Sequence, residues 1–421
     1  MQEILFDYRL NPTTWAYISA LMMLGTYFKF RRFWSVRNLD LVGLIAFSPA
    51  LLLIYNGLDK QDTDLTRAGY VWLFLMGGGF LVRLLVDAVM VRRPLLEPNL
   101  SASGLTFTGV SLLVFLMANV ITCPAERLER LVAAQGAPAQ PDPGYVPFHA
   151  YASLANTVPV HAEQSKPEAY RQARIRRVTT CSLTIAAHLA VVLGMVWIGF
   201  RHFGNIQTGV AAATLYLLTF YLSQFTGQMD HAVPAMFLVW AVAAYRRPVL
   251  AGVLLGIVGG LIYYPLFLLP LWCAFYWRRG VVRFGFGVAA SLTVLVIGLA
   301  LSSSDTAAFA VGVKQMFGLR NPFDVVPSGF WKYFEPAYRI PVLAGFGVIS
   351  LGLALWPAQK NFGTLLSCSA AVMLGVQFWH AHQGGLYMAW YLPLLILTVF
   401  RPNLDDRVAH SAVQPFWRKK A

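Results

Sequence analysis

Residues 225–280 read FTGQMDHAVPAMFLVWAVAAYRRPVLAGVLLGIVGGLIYYPLFLLPLWCAFYWRRG, and two arginine pairs, Arg246-Arg247 and Arg278-Arg279, bracket the second apolar half. Arginines beside apolar segments collect on the cytoplasmic side of a membrane, so both pairs belong on one side. The 28 residues from Leu250 to Trp277 must leave that side and return to it. At about 1.5 Å per residue they are too short for two crossings of a ~30 Å hydrocarbon layer. A broken or re-entrant helix pair turning at Tyr263-Tyr264-Pro265 meets both conditions. Proline removes a backbone donor, and non-helical backbone at membrane depth survives only where protein or a wet cavity covers it. A cavity is therefore expected beside this turn.

The rest of the chain has the same character. It is 57% hydrophobic and 12% charged over 421 residues, too few polar residues to clothe a water-soluble globule. Stretches such as Leu105 to Ile121 and Val281 to Leu301 are almost continuously apolar at helix-spanning length, which argues for helices over a β-barrel. The net charge of +14 sits mostly in short clusters between apolar segments, so it reads as topology and contact with anionic lipid, not as nucleic-acid binding. The four cysteines are far apart and imply neither a disulfide framework nor a zinc site. The opening MQEILFDYRLNP has acidic residues and no basic region before an apolar core, so no cleavable signal peptide is expected.

Placing Lys29 to Arg37, Arg92-Arg93, Arg246-Arg247, Arg278 to Arg283, Lys360 and the tail Arg418 to Lys420 on the cytoplasmic side gives one path. Its spans are 13–29, 40–56, 69–91, 104–122, 177–200, 207–223, 232–245, the short pair within 249–277, 281–302, 341–356, 362–379 and 386–400. The predicted fold is an all-α, polytopic helical membrane protein of about 12–13 membrane segments in the plasma (inner) membrane. Two long loops, 123–176 and 302–341, fall on the outer side. Four arginines at 171–177 oppose this path, although long loops translocate largely regardless of charge.

The segment opened above resembles the central region of the polyprenol-phosphate-dependent glycosyltransferases of the C-type (GT-C) superfamily, most of all the family 87 mannosyltransferase-like proteins. The matching residues are Gly227-Gln228 after an apolar span, the basic turn Arg246-Arg247, Ala251-Gly252 with Gly256, then Pro265 and Arg278-Arg279. The stretch YMAWYLPLLILTVFRP, residues 387–402, resembles that family's last span. The likeness divides the chain into a three-span region, 1–103, without counterpart, and a GT-C-like region, 104–421. It implies transfer of a single mannose-like sugar from a polyprenyl-phosphate carrier to a glycan, lipid or protein acceptor at the outer face. It implies no resident cofactor beyond that lipid-linked donor, with a divalent cation compatible. Two family features are missing: a Lys just before the broken-pair Pro, and an Asp at the head of the first outer loop.

Such a transfer needs a carboxylate to take the acceptor proton and cations or helix N-termini to steady the leaving phosphate. Asp142, Glu126 and Asp230 are the candidate bases, each with a plainer reading: turn former, first-turn helix charge and helix cap, respectively. Gln228, His231, Tyr263 and Tyr264 are candidate substrate contacts around the turn. Arg320, Lys332 and Arg339 are candidate phosphate ligands, and His380, His382 and Gln383 of WHAHQGG are candidates to hold acceptor hydroxyls. The His-x-His pair has no third ligand in view, and no metal site is assigned.

Two other classes fit some of the same residues. A catalytically degenerate GT-C-like membrane subunit or scaffold, part of a membrane complex, would explain the missing Lys and Asp. A transporter would use the intramembrane pair Arg83 and Asp87, which share a helix face and are expected to pair, together with the broken helix.

Overall fold

The computed structural model describes residues 11–87, 90, 96–122, 166–303, 305–319, 327–358 and 360–402. Among these the architecture is all-α. The helices are α1 (Pro12–Tyr27), α2 (Val36–Asp59), α3 (Thr63–Asp87), α4 (Ala102–Thr122), α5 (Lys166–Arg201), α6 (Ile206–Leu218), α7 (Phe220–Phe225) and α8 (Met229–Ala243). They continue as α9 (Pro248–Leu261), α10 (Leu269–Tyr276), α11 (Val281–Ser302), α12 (Thr306–Met316), α13 (Arg339–Leu355), α14 (Phe362–Trp379) and α15 (Leu392–Phe400).

Burial separates a hub from a lipid-facing shell. Every residue of α14 from Phe362 to Gln377 is buried, and every residue of α15 is buried. A helix apolar all round and buried all round lies at the centre of a bundle. By contrast α11 leaves Val282, Phe286, Val294, Ile297 and Leu301 exposed, and α13 leaves Val348, Leu351 and Leu355 exposed. Outward apolar faces of this extent have no stable place in water. Seven helices among the described residues are long and apolar enough to cross a membrane, with shorter apolar helices beside them. The chain is a multi-pass membrane protein.

The broken pair is present as the sequence requires. α9 has 14 residues, about 21 Å, and ends before the turn; Tyr264–Leu268 continues as a 3-10 helix into α10. α9 packs on α11 through glycines: a Cβ on Gly256 would stand 2.8 Å from the Val288 carbonyl oxygen, and Gly252 meets the Phe284 backbone with less room still. The Ala-Gly-x-x-x-Gly pattern is thus the small-residue face that lets two backbones approach.

Three expectations are corrected. The stretch 207–223 is two helices, broken at Thr219, which is extended and gives its Oγ1 hydrogen to the Tyr216 carbonyl at 2.7 Å. The end of the loop 123–176 is helical: the helix that carries the expected span, Val178–Arg201, starts at Lys166, because KPEAYRQARIRR is rich in strong helix formers, and the four arginines stand on this extension. The stretch 302–341 is not an open loop, since α12 is capped by Asp305, whose carboxylate accepts the Ala308 N–H at 2.6 Å. Lys360 is likewise no free surface charge. It is buried and donates to the carbonyls of Ala354 and Pro357, both at 2.8 Å, closing the end of α13, and burial lowers its pKa below the ordinary lysine value.

Contacts assign residues to the two ends of the bundle. At one end Tyr27 meets Phe400, Phe362 meets Tyr245 and His202, and the Tyr276 hydroxyl donates to the Tyr245 carbonyl. The basic turns at 29–37, 246–247 and 278–279 adjoin these residues. This end also holds the expected Arg83–Asp87 pair, extended among the described residues by Asp40 and Arg401. Arg83 forks onto both Asp40 oxygens at 2.9 and 3.0 Å, reaches Asp87 at 2.9 Å, and the second Asp87 oxygen accepts from Arg401 at 2.8 Å. Both carboxylates are buried. Paired this way, Arg83 and Asp87 join α2 and α3 to the end of α15 and give the transporter reading no separate support.

Truncating one member leaves buried charge uncompensated. Arg83→Ala is expected to cost about 3–5 kcal/mol, seen as a lower unfolding midpoint of the purified protein in nanodiscs, whereas Arg278→Ala at an exposed turn is expected to change stability by less than about 0.5 kcal/mol.

Candidate functional site

The opposite end collects most of the candidate residues. α8 begins after a turn in which the Gln228 N–H donates to the Phe225 carbonyl at 3.2 Å. Gln228 is the N-cap residue, without a side-chain capping bond. Asp230 is in the first turn, so it is not the cap; its charge there complements the helix dipole. Its carbonyl accepts the Trp390 indole N–H at 3.1 Å, and its side chain keeps 29% exposure. That figure matters because its neighbours are closed off: His231 is 1% exposed, Tyr264 2% and His380 0%.

His231 lies between rings, with Phe225 nearly parallel at 5.1 Å and Tyr387 at 4.8 Å, and its Nδ1 is hydrogen-bonded to the Tyr221 hydroxyl. Tyr387 continues the series to His380 at 4.9 Å and Trp390 at 4.5 Å, and its N–H donates to the Gln377 side-chain oxygen at 3.2 Å. His380 ends α14 and faces Tyr264 at 4.4 Å, while its Nδ1 accepts the His382 N–H at 3.2 Å. Tyr264 also meets Trp379 and Trp390, each at 5.5 Å. The turn at 263–265 is therefore covered by aromatic side chains from α14 and from the 3-10 turn Met388–Trp390.

Arg339 opens α13, is 9% exposed, and directs Nε and Nη2 to the Trp379 carbonyl at 3.3 Å. The ring of that same Trp379 faces Tyr264, so a guanidinium stands near the turn whose sequence has no Lys. Lys332 is exposed on a short 3-10 helix. The segment around it is fastened to the His380 loop: the Ser328 N–H donates to the Ala381 carbonyl at 2.9 Å, the Gln383 N–H donates to the Ser328 hydroxyl at 3.1 Å, and Gly329 pairs with Gly384. Gln383 and Gly385 adopt left-handed backbone, φ 49° and 92°, which lets the loop double back. The Trp331 indole donates to the Phe378 carbonyl at 3.0 Å, and Phe330 stacks on Phe74 at 3.7 Å.

The structure thus brings together Gln228, Asp230, His231, Tyr263, Tyr264, Arg339, His380, His382 and Gln383, with Lys332 on the adjoining segment. Asp142, Glu126 and Arg320 lie outside the described residues. Tyr221, Gln377, Tyr387 and Trp390 join the cluster without having been singled out. The only sequence signal for the last two was their position in YMAWYLP at the head of the last helix. Among the described residues no group of three or more His, Cys, Asp or Glu side chains is arranged to hold a metal ion. No protein-family profile, curated protein or solved structure matches the chain.

If Tyr264 is what closes this end, Tyr264→Ala is expected to raise amide hydrogen exchange across 327–334 and 380–387 while leaving 362–372 protected, as read by mass spectrometry on the protein in nanodiscs.

Proposed function

We propose that this chain is a membrane glycosyltransferase of the polyprenyl-phosphate-dependent C-type, working at the end of the bundle that carries Asp230. The observation that carries the reading is the partly exposed Asp230 carboxylate set, among the described residues, with buried His, Tyr and Trp side chains beside a broken-helix turn and a buried guanidinium. In the reaction the acceptor hydroxyl oxygen bonds the anomeric carbon of the carried sugar. Its proton goes to Asp230, and the bond from the anomeric carbon to the phosphate oxygen breaks. The electron pair leaves with polyprenyl phosphate. Asp230 supplies general-base assistance, and Arg339 offsets the charge gathering on the leaving phosphate. Gln228, His382 and Gln383 are placed to orient acceptor or sugar hydroxyls.

The arginine pairs at the opposite end support an orientation with this face outward from a plasma (inner) membrane, where lipid-linked sugar and acceptor meet. The resemblance of residues 225–280 to the family 87 proteins supports a mannose-like sugar. The near-complete closure over His231, Tyr264 and His380 favours the second reading, a catalytically degenerate subunit of a membrane complex, and the same experiment separates the two.

Membranes containing the protein, supplied with a polyprenyl-phosphate mannose, are expected to release polyprenyl phosphate. Asp230→Asn is expected to reduce that rate about 10²-fold or more, the ordinary worth of a positioned base. Arg339→Lys, which replaces the fork with a point charge, is expected to raise the KM for the donor. An intact protein that releases no polyprenyl phosphate and co-purifies with other membrane proteins speaks for the subunit; turnover unchanged in Asp230→Asn removes Asp230 as the base.

A further inference from the structure

The buried polar groups behind Asp230 form a directed chain. Tyr221, on the short helix that follows the break at Thr219, is 2% exposed, and its hydroxyl meets His231 Nδ1. Among the described residues His231 Nδ1 is the hydrogen-bond partner of this buried hydroxyl. The phenol hydrogen therefore has Nδ1 as its acceptor. If Nδ1 carried the hydrogen instead, the buried Tyr221 hydrogen would have no acceptor, a cost of about 1–3 kcal/mol. A neutral imidazole has one donor and one acceptor nitrogen. With Nδ1 accepting, the hydrogen sits on Nε2.

That Nε2 is buried and makes no hydrogen bond to any described residue, and Asp230 Oδ2 stands 4.0 Å from it. The ring is held by Phe225 and Tyr387 on either side, so Nε2 keeps its aim. The Asp230 side chain is 29% exposed where the imidazole is closed off. A carboxylate rotation closes 4.0 Å to the ~2.9 Å of a bond, as catalytic contacts do when substrate binds. The groups that face this pair from other elements are His188 on α5, His380 at the end of α14, and Tyr387 and Tyr391 before α15. The His188 Nε2 is engaged with the Thr226 carbonyl at 3.0 Å, and His380 Nδ1 takes the His382 N–H.

We propose that Tyr221 and His231 are positioning residues for Asp230: the phenol fixes the imidazole in its Nε2–H form, and Nε2–H then holds one carboxylate oxygen so that the other faces the acceptor hydroxyl. The inference rests on the reading of Asp230 as the base and names the groups that aim it. It gives Tyr221–His231 the part that an orienting group plays for the working member of a catalytic triad.

Two measurements test it, and they fail separately. The first needs no turnover. In full-length protein labelled with 15N-histidine in nanodiscs, the His231 signal, assigned by its loss in His231→Gln, is expected to show a protonated Nε2 and a bare Nδ1. Tyr221→Phe is expected to convert it to a mixture of tautomers. A protonated Nδ1 in the wild-type protein would overturn the proposal whatever the enzyme does. The second is kinetic. Tyr221→Phe, which keeps the stack on Phe225, is expected to lower kcat about tenfold, the value of one hydrogen bond, with KM unchanged. His231→Gln, whose side-chain N–H lies near the Nε2 position, is expected to retain more rate than His231→Phe. Equal losses in the Gln and Phe variants, or no change in Tyr221→Phe, would overturn the positioning role while leaving Asp230 and the glycosyltransferase reading in place. The expected tautomer with no turnover in any variant would keep the hydrogen-bond chain and remove the enzyme.

Discussion

Inside a hydrocarbon layer no water is at hand for a backbone N–H or C=O, and each place where a helix stops must be closed by protein. This constraint explains where the polar and aromatic residues of this chain lie. At Thr219 the freed carbonyls of Tyr216 and Leu218 are taken by the Thr219 hydroxyl and by Ser19 from α1. At 263–265 aromatic rings from two other segments cover the turn. At 380–391, where the hub helix ends and the last helix has not begun, the gap is bridged by Gln377, Ser328 and the Gly329–Gly384 pairing. The candidate site occupies two of these three breaks.

The same constraint decides what could be read in advance. The turn at Tyr263–Pro265 was legible because length and charge conflict over 28 residues and only a break reconciles them. The pairing of Arg83 with Asp87 was legible from spacing of four on one helix. The break at Thr219 was not, since TLYLLTFYL carries no Gly or Pro and reads as an unbroken span. Nor was the start of α5, where helix-forming residues run past the apolar limit and hide the boundary between span and extension.

Of the site, His231, Tyr264, Arg339 and His380 were visible as polar or aromatic residues flanking apolar runs, the pattern expected where a span meets an interface. What could not be seen was their order in space. Tyr387 stands between His231 and His380, and Trp390 touches the backbone of Asp230, because a loop from the end of the chain folds over the start of α8. Contacts between residues 160 positions apart leave no periodicity to read. Asp40 and Arg401, 43 and 314 residues from their partners Arg83 and Asp87, leave no periodicity either.

The separation of 314 residues between Asp87 and Arg401 also bears on how the protein is made. Synthesis delivers Asp40, Arg83 and Asp87 early, on helices already committed to lipid. The bond from Arg401 to the buried Asp87 forms only once the last described helix has been made. For most of translation the early hairpin thus waits for the contact that fastens it to the far end of the chain's path through the bundle.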